Sequence, residues 1–149
     1  LMTENAGLAH CIYASTAETP LSAEALNSLL KTARERNAAQ DITGILLYDE
    51  GAFFQVLEGP ADGVAALFRK ITLDRRHRKI VKLISEPIEY RSFEGWSMGH
   101  AELRASELCE IEGMNDFFQS GKCFIDLDEG RAKQLLRAFA DGKWRSSIR

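Results

Sequence analysis

The sequence predicts an α+β fold: a ferredoxin-like βαββαβ sheet with a fifth strand, two helices on one face, and further helices at the C-terminal end. Three observations carry this reading. Apolar runs and helical periodicities alternate in the order strand, helix, strand, strand, helix, strand over residues 8–84. The two central runs, residues 42–48 and 52–57, are separated only by Asp49-Glu50-Gly51, a short glycine-ended loop of the kind that closes a hairpin. No linker or shift in composition interrupts the pattern, and 149 residues suit one compact domain.

Residues 8–15 read as the first strand, bounded by Gly7 and by the turn-forming stretch that ends at Pro20. Ser22 is placed to cap the helix that follows, and Glu24 in its first turn favours the positive end of the helix dipole. Leu26, Leu29, Leu30 and Ala33 form that helix's apolar stripe, and Asn37 is suited to stop it because asparagine tolerates the left-handed conformation. The hairpin strands do not alternate cleanly between apolar and polar residues, so both faces are expected to be covered. On the second of them Phe53, Gln55 and Leu57 share one face, and Phe54 and Val56 the other. Gln55 is therefore a primary amide in an apolar layer, where it needs hydrogen-bond partners from the protein or from a ligand.

After Gly59-Pro60, with Asp62 as the expected N-cap, Val64, Leu67, Phe68 and Ile71 define a second amphipathic helix ending in the basic run Asp74-Arg75-Arg76-His77-Arg78-Lys79. A strand over residues 80–84, stopped by Pro87, and a fifth over 96–103, with Trp96 and Met98 on a shared face, complete the sheet. Residues 114–119 suggest a short helix. Residues 129–140 suggest a firmer one, with Leu135, Leu136 and Phe139 inward and Gly142 as its stop. Two helices cover only one face of the sheet, so this C-terminal part, or a second copy of the chain in a homodimer, is expected to cover the other.

A net charge of −3 gives no reason to expect nucleic acid or an anionic membrane as a partner. Cys11, Cys109 and Cys123 are too few and too scattered for a disulfide framework. With no signal-peptide pattern at Leu1-Met2-Thr3-Glu4-Asn5 and no apolar run of transmembrane length, a cytoplasmic location is expected. No metal site is expected. Taken singly, Tyr13, Asn37, Trp96 and Met98 read equally well as core or capping residues. Gln55 is the hardest to explain without a site.

The chain over residues 8–103 resembles the BLUF domain, a blue-light sensor that uses flavin. The matching pieces are Ile12-Tyr13-Ala14-Ser15, Arg36-Asn37, Ile42-Thr43-Gly44-Ile45-Leu46-Leu47-Tyr48, Phe53-Phe54-Gln55-Val56-Leu57-Glu58-Gly59-Pro60, Arg76-His77 and Trp96-Ser97-Met98. The resemblance implies a non-covalent flavin, FAD with FMN or riboflavin as alternatives, held between the two helices. By the same resemblance Leu29 and Ile71 sandwich the ring, and Asn37 bonds its polar edge. Gln55 sits between that edge and Tyr13, while Arg76 and His77 meet the ribityl and phosphate part. The position before Asn37, often histidine or asparagine in relatives, is Arg36 here.

Tyr13, Gln55, Trp96 and Met98 are then the photoactive group, with light driving electron and proton transfer from Tyr13 and a hydrogen-bond rearrangement of Gln55. Residues 104–149 are expected to form a C-terminal helical extension, too short for a catalytic output domain. The implied protein is a sensor and not an enzyme, signalling to a separate protein partner. The alternatives are an acylphosphatase-like enzyme on the same scaffold, using Arg36 and Asn37, or a light-independent ligand-binding module.

Overall fold

The computed structural model describes residues 7–49, 51–102, 117 and 122–141. The elements run β1 (Leu8–Ala17), α1 (Ala23–Ala39), β2 (Thr43–Asp49), β3 (Ala52–Pro60), α2 (Ala61–Thr72), β4 (His77–Ile88), β5 (Gly99–Glu102), a 3-10 turn (Phe124–Asp126) and α3 (Glu129–Asp141). The sheet order is β4-β1-β3-β2-β5. The first four strands pair antiparallel and β5 joins parallel to β2, so the ferredoxin-like sheet with an added fifth strand is what the chain forms.

Strand alternation sorts the core into two layers. On one face Tyr13, Phe53 and Leu57 pack with Leu26, Leu30, Leu67 and Ile71 of the two helices. On the other, Ile12, Phe54 and Val56 pack with Phe124, Leu135, Leu136 and Phe139. The second face is therefore covered from within the chain, which removes the sheet's uncovered face as a reason for a dimer. Among the described residues no helix is long and apolar enough to cross a membrane.

Several local expectations are corrected. Ser22 caps α1 as anticipated, its Oγ accepting from Ala25 N at 3.1 Å, but Asn37 does not end the helix. The helix continues to Ala39, and Asn37 is fully buried, its carbonyl accepting from both Gln40 N and Ile42 N. The left-handed residue is Asp41, at φ 58°, another of the few non-glycine types that tolerate that region. Nor is Asp62 the N-cap of α2. β3 runs straight to Pro60, which occupies the cap position without a side-chain bond and leaves Asp62 in the first turn.

The basic run is not a helix end either, because α2 stops at Thr72 and β4 already begins at His77. β4 also continues through Pro87, since an edge strand has one unpaired side on which a missing N–H removes no ladder bond. Trp96 and Met98 precede β5 in an irregular segment where strand alternation does not hold, and they face opposite layers. Of the short helix expected over residues 114–119, only Phe117, helical and buried, falls among the described residues; Leu103 and Gly142 fall outside them.

Candidate functional site

Tyr13 and Gln55 are directly opposite each other on the neighbouring antiparallel strands β1 and β3, which brings their side chains together under the helices. The Tyr13 hydroxyl donates to Gln55 Oε1 in a buried bond, and Gln55 Nε2 donates to Met98 Sδ at 3.5 Å. An amide nitrogen carries two hydrogens, so the bond to Met98 leaves the second for another acceptor. Burial, with a smaller contribution from neighbouring Cys11, pushes the Tyr13 phenol well above its ordinary range. It therefore stays protonated at neutral pH and is fixed as a donor. The Phe68 ring lies 5.5 Å and the His77 ring 6.5 Å from that of Tyr13.

A pocket of about 670 Å³, its open mouth included, lies between α1, α2 and the sheet. Its walls are apolar, with Leu29 from α1 and Ile71 from α2, and its floor carries Tyr13 and Gln55. Arg36, Asp74, Arg76 and His77 supply the polar lining. Asp74 accepts from Arg76 at 2.6 Å, and this hydrogen bond holds the carboxyl down at about 2 and raises the guanidinium. His77 is fixed at both nitrogens, Nε2 against Ile71 O at 2.7 Å and Nδ1 against Ser15 Oγ at 3.1 Å. With the Ile71 carbonyl only able to accept, Nε2 must be the protonated nitrogen.

Six of the residues singled out in the sequence line this pocket: Tyr13, Leu29, Gln55, Ile71, Arg76 and His77. Asn37 does not. Its Nδ2 donates to Ser97 O at 2.8 Å and its Oδ1 accepts from Arg36 Nε at 3.4 Å. Met98 reaches Gln55 from the same layer, whereas Trp96 packs in the opposite layer with its ring 5.9 Å from that of Phe93. Arg36 and Asp74 are lining residues that the sequence reading did not assign to the flavin. For Arg36 the signal was available, since Leu29, Ala33 and Arg36 follow one helical stripe at spacings of four and three.

The family model for BLUF, "Sensors of blue-light using FAD", matches residues 8–99. The chain belongs to the BLUF family. It is 39% identical over 100 residues to the photoactivated adenylate cyclase subunit beta of Euglena longa, a match covering 66% of this chain and 12% of that protein. It is 33% identical over 129 residues to the blue light- and temperature-regulated antirepressor BluF of Escherichia coli, over 86% of this chain and 32% of that one. Among solved structures, BlrB, a BLUF protein in its dark state, superposes with a TM-score of 0.73 at 31% identity, covering 91% of this chain and 96% of that chain. The chain spans only 8 to 15% of the length of the photoactivated cyclase relatives. A BLUF domain is a flavin-binding light sensor and not itself an enzyme.

The pocket fits the BLUF cofactor on its own geometry. Two apolar walls from separate helices suit a flat aromatic ring, and the second Gln55 N–H, without a partner among the described residues, gives the floor a donor for a heteroatom at the ring edge. Arg36 and Arg76 place two cations in the pocket's lining. Leu29, Ile71 and Gln55 would hold the ring.

Proposed function

We propose that this chain is a blue-light photoreceptor whose switch is the side-chain amide of Gln55. The observation that carries the reading is the buried chain Tyr13 hydroxyl, Gln55 amide, Met98 sulfur at the floor of the pocket between the two helices and the sheet. A bound flavin supplies a strong one-electron oxidant when it absorbs blue light. Tyr13 is the donor placed to be oxidised; its proton would pass along the existing bond to Gln55 Oε1 as a Gln55 N–H proton is given up to the bound flavin, and the electron and a proton would return to Tyr13 once the amide has rearranged. Gln55 then rotates or tautomerises. The two ends of a primary amide have nearly the same size and shape, so turning it exchanges donor for acceptor with little change in packing. The bond to Met98 is lost, and the hydrogen bonds offered to the pocket change with it. Light thereby biases a two-state element.

No observation favours the acylphosphatase-like alternative. Arg36 lines the pocket while Asn37 is turned onto Ser97, so the two form no common anion cradle.

The signal, in this reading, leaves through β3 and reaches a protein partner. Phe54 and Val56, which flank Gln55 in sequence, point to the far side of the sheet, and the Phe54 ring lies 5.8 Å from that of Phe124 ahead of α3. A shift of β3 is thus felt by the C-terminal helix. The purified protein should be yellow, and blue light should shift its flavin absorption reversibly to the red. Hydrogen exchange over residues 122–141 should differ between light and dark. A colourless protein that takes up no added flavin would end the sensor reading, and identical exchange in light and dark would end the proposed exit route alone.

A further inference from the structure

Three residues beyond Gln55 on β3 lies Glu58, a carboxylate with no exposed surface in a strand that is apolar but for these two side chains. A buried charge is retained only where hydrogen bonds satisfy it. Here three donors do so: Thr43 Oγ1 at 3.0 Å, Phe93 N at 2.6 Å and Ser92 N at 2.9 Å. Two of the three are successive backbone N–H groups of the segment that carries the chain from β4 to β5. Arg91 reinforces them, donating to Thr43 Oγ1 at 2.8 Å, to the Glu58 carbonyl at 3.3 Å and to the Asp41 carbonyl at 2.9 Å.

From there to Met98 the segment is held repeatedly. Trp96 N donates to Phe93 O, and Trp96 O accepts from Gly44 N, both at 3.0 Å. Ser97 O accepts from Asn37, and Met98 O accepts from Arg34 Nε at 2.9 Å. Met98 then presents its sulfur to Gln55. The one strand, β3, thus grips the one segment at two points: through Glu58 at its start and through Gln55 at its end.

We infer that Glu58 is a positioning residue of the light switch. It anchors the segment Ser92–Met98 so that the Met98 sulfur stays opposite the Gln55 amide while that amide changes orientation. This rests on the sensor reading above. A structural clamp alone would alter stability and leave the switch untouched, so the two roles separate by measurement.

Glu58→Gln preserves shape but sets an NH2 group against backbone donors, which leaves donor facing donor at one oxygen position. With a buried, charge-assisted bond lost from the segment, return of the illuminated, flavin-loaded protein to the dark spectrum should quicken by about tenfold. The Met98 methyl resonance should move in the dark state, and amide exchange at Ser92 and Phe93 should rise. Ser22→Ala, which removes the N-cap at the exposed start of α1 and lies outside this network, supplies the stability control; it should lower Tm with recovery close to wild type. Should Glu58→Gln not fold, Arg91→Lys removes the guanidinium fork while keeping the carboxylate. It should quicken recovery in the same direction, by about threefold, because the fork's charge-assisted bonds are only partly replaced. Wild-type protein without a red shift would bring down the sensor reading and this inference with it. A normal red shift with Glu58→Gln recovering no faster than Ser22→Ala, and with the Met98 signal unmoved, would overturn the inference alone.

Discussion

Tyr13→Phe is expected to bind flavin and to lose the photocycle. The ring stays, and so does its packing against Phe68, so the pocket keeps its shape. What disappears is the hydroxyl that donates to Gln55 Oε1. Phenylalanine is far harder to oxidise than a phenol and has no proton to pass on, so illumination leaves the amide with no reason to turn. The light-induced red shift should fall to background. Stability should drop by about 1–3 kcal/mol, because the buried Gln55 oxygen loses its partner. Absorption spectroscopy before and after a blue flash checks the first effect, and thermal unfolding the second. A Tyr13→Phe protein with a normal reversible red shift would remove Tyr13 from the donor role.

Gln55→Leu should abolish the shift by a different route. Leucine matches the volume of the side chain and suits the apolar layer formed by Phe53 and Leu57, so folding and flavin uptake survive. It offers neither donor nor acceptor. The Tyr13 hydroxyl is then buried without an acceptor at its register partner, a cost of about 1–3 kcal/mol, and Met98 loses its bond. The two variants differ in what remains. Tyr13→Phe keeps the amide without a donor, and Gln55→Leu keeps the donor without a switch. Electron transfer from Tyr13, followed on a fast timescale, should persist in Gln55→Leu and vanish in Tyr13→Phe. A stable red-shifted state in Gln55→Leu would show that the switch lies elsewhere.

Much of this arrangement was legible in the chain because strand alternation is a strict rule. Once residues 52–57 are read as a strand, Gln55 must share a layer with Phe53 and Leu57, and its misfit is visible without coordinates. Tyr13 follows from the same rule applied to the first strand. The rule gives no help where the backbone is irregular. Trp96 and Met98 are two apart and so look co-facial, yet β5 starts only at Gly99, and they face opposite layers.

Asn37 shows a second limit. Asparagine near a helix end carries the same signal whether it stops the helix or reaches across to a distant carbonyl, and here it does the latter, toward Ser97. The Glu58 network was hidden for a related reason. Its donors at Ser92 and Phe93 come from more than thirty positions away, 34 and 35 residues along the chain, and only the sheet's topology brings them to β3. A carboxylate within an apolar strand was the signal available, of the same kind as an amide within one.

The central claim is that the Gln55 amide is what light rearranges. The most direct test is light-minus-dark infrared difference spectroscopy on flavin-loaded protein carrying isotope-labelled glutamine side chains. The account predicts difference bands in the side-chain amide region that move with the label and decay with the red shift. A full, reversible red shift whose difference spectrum contains no glutamine-sensitive band would contradict it.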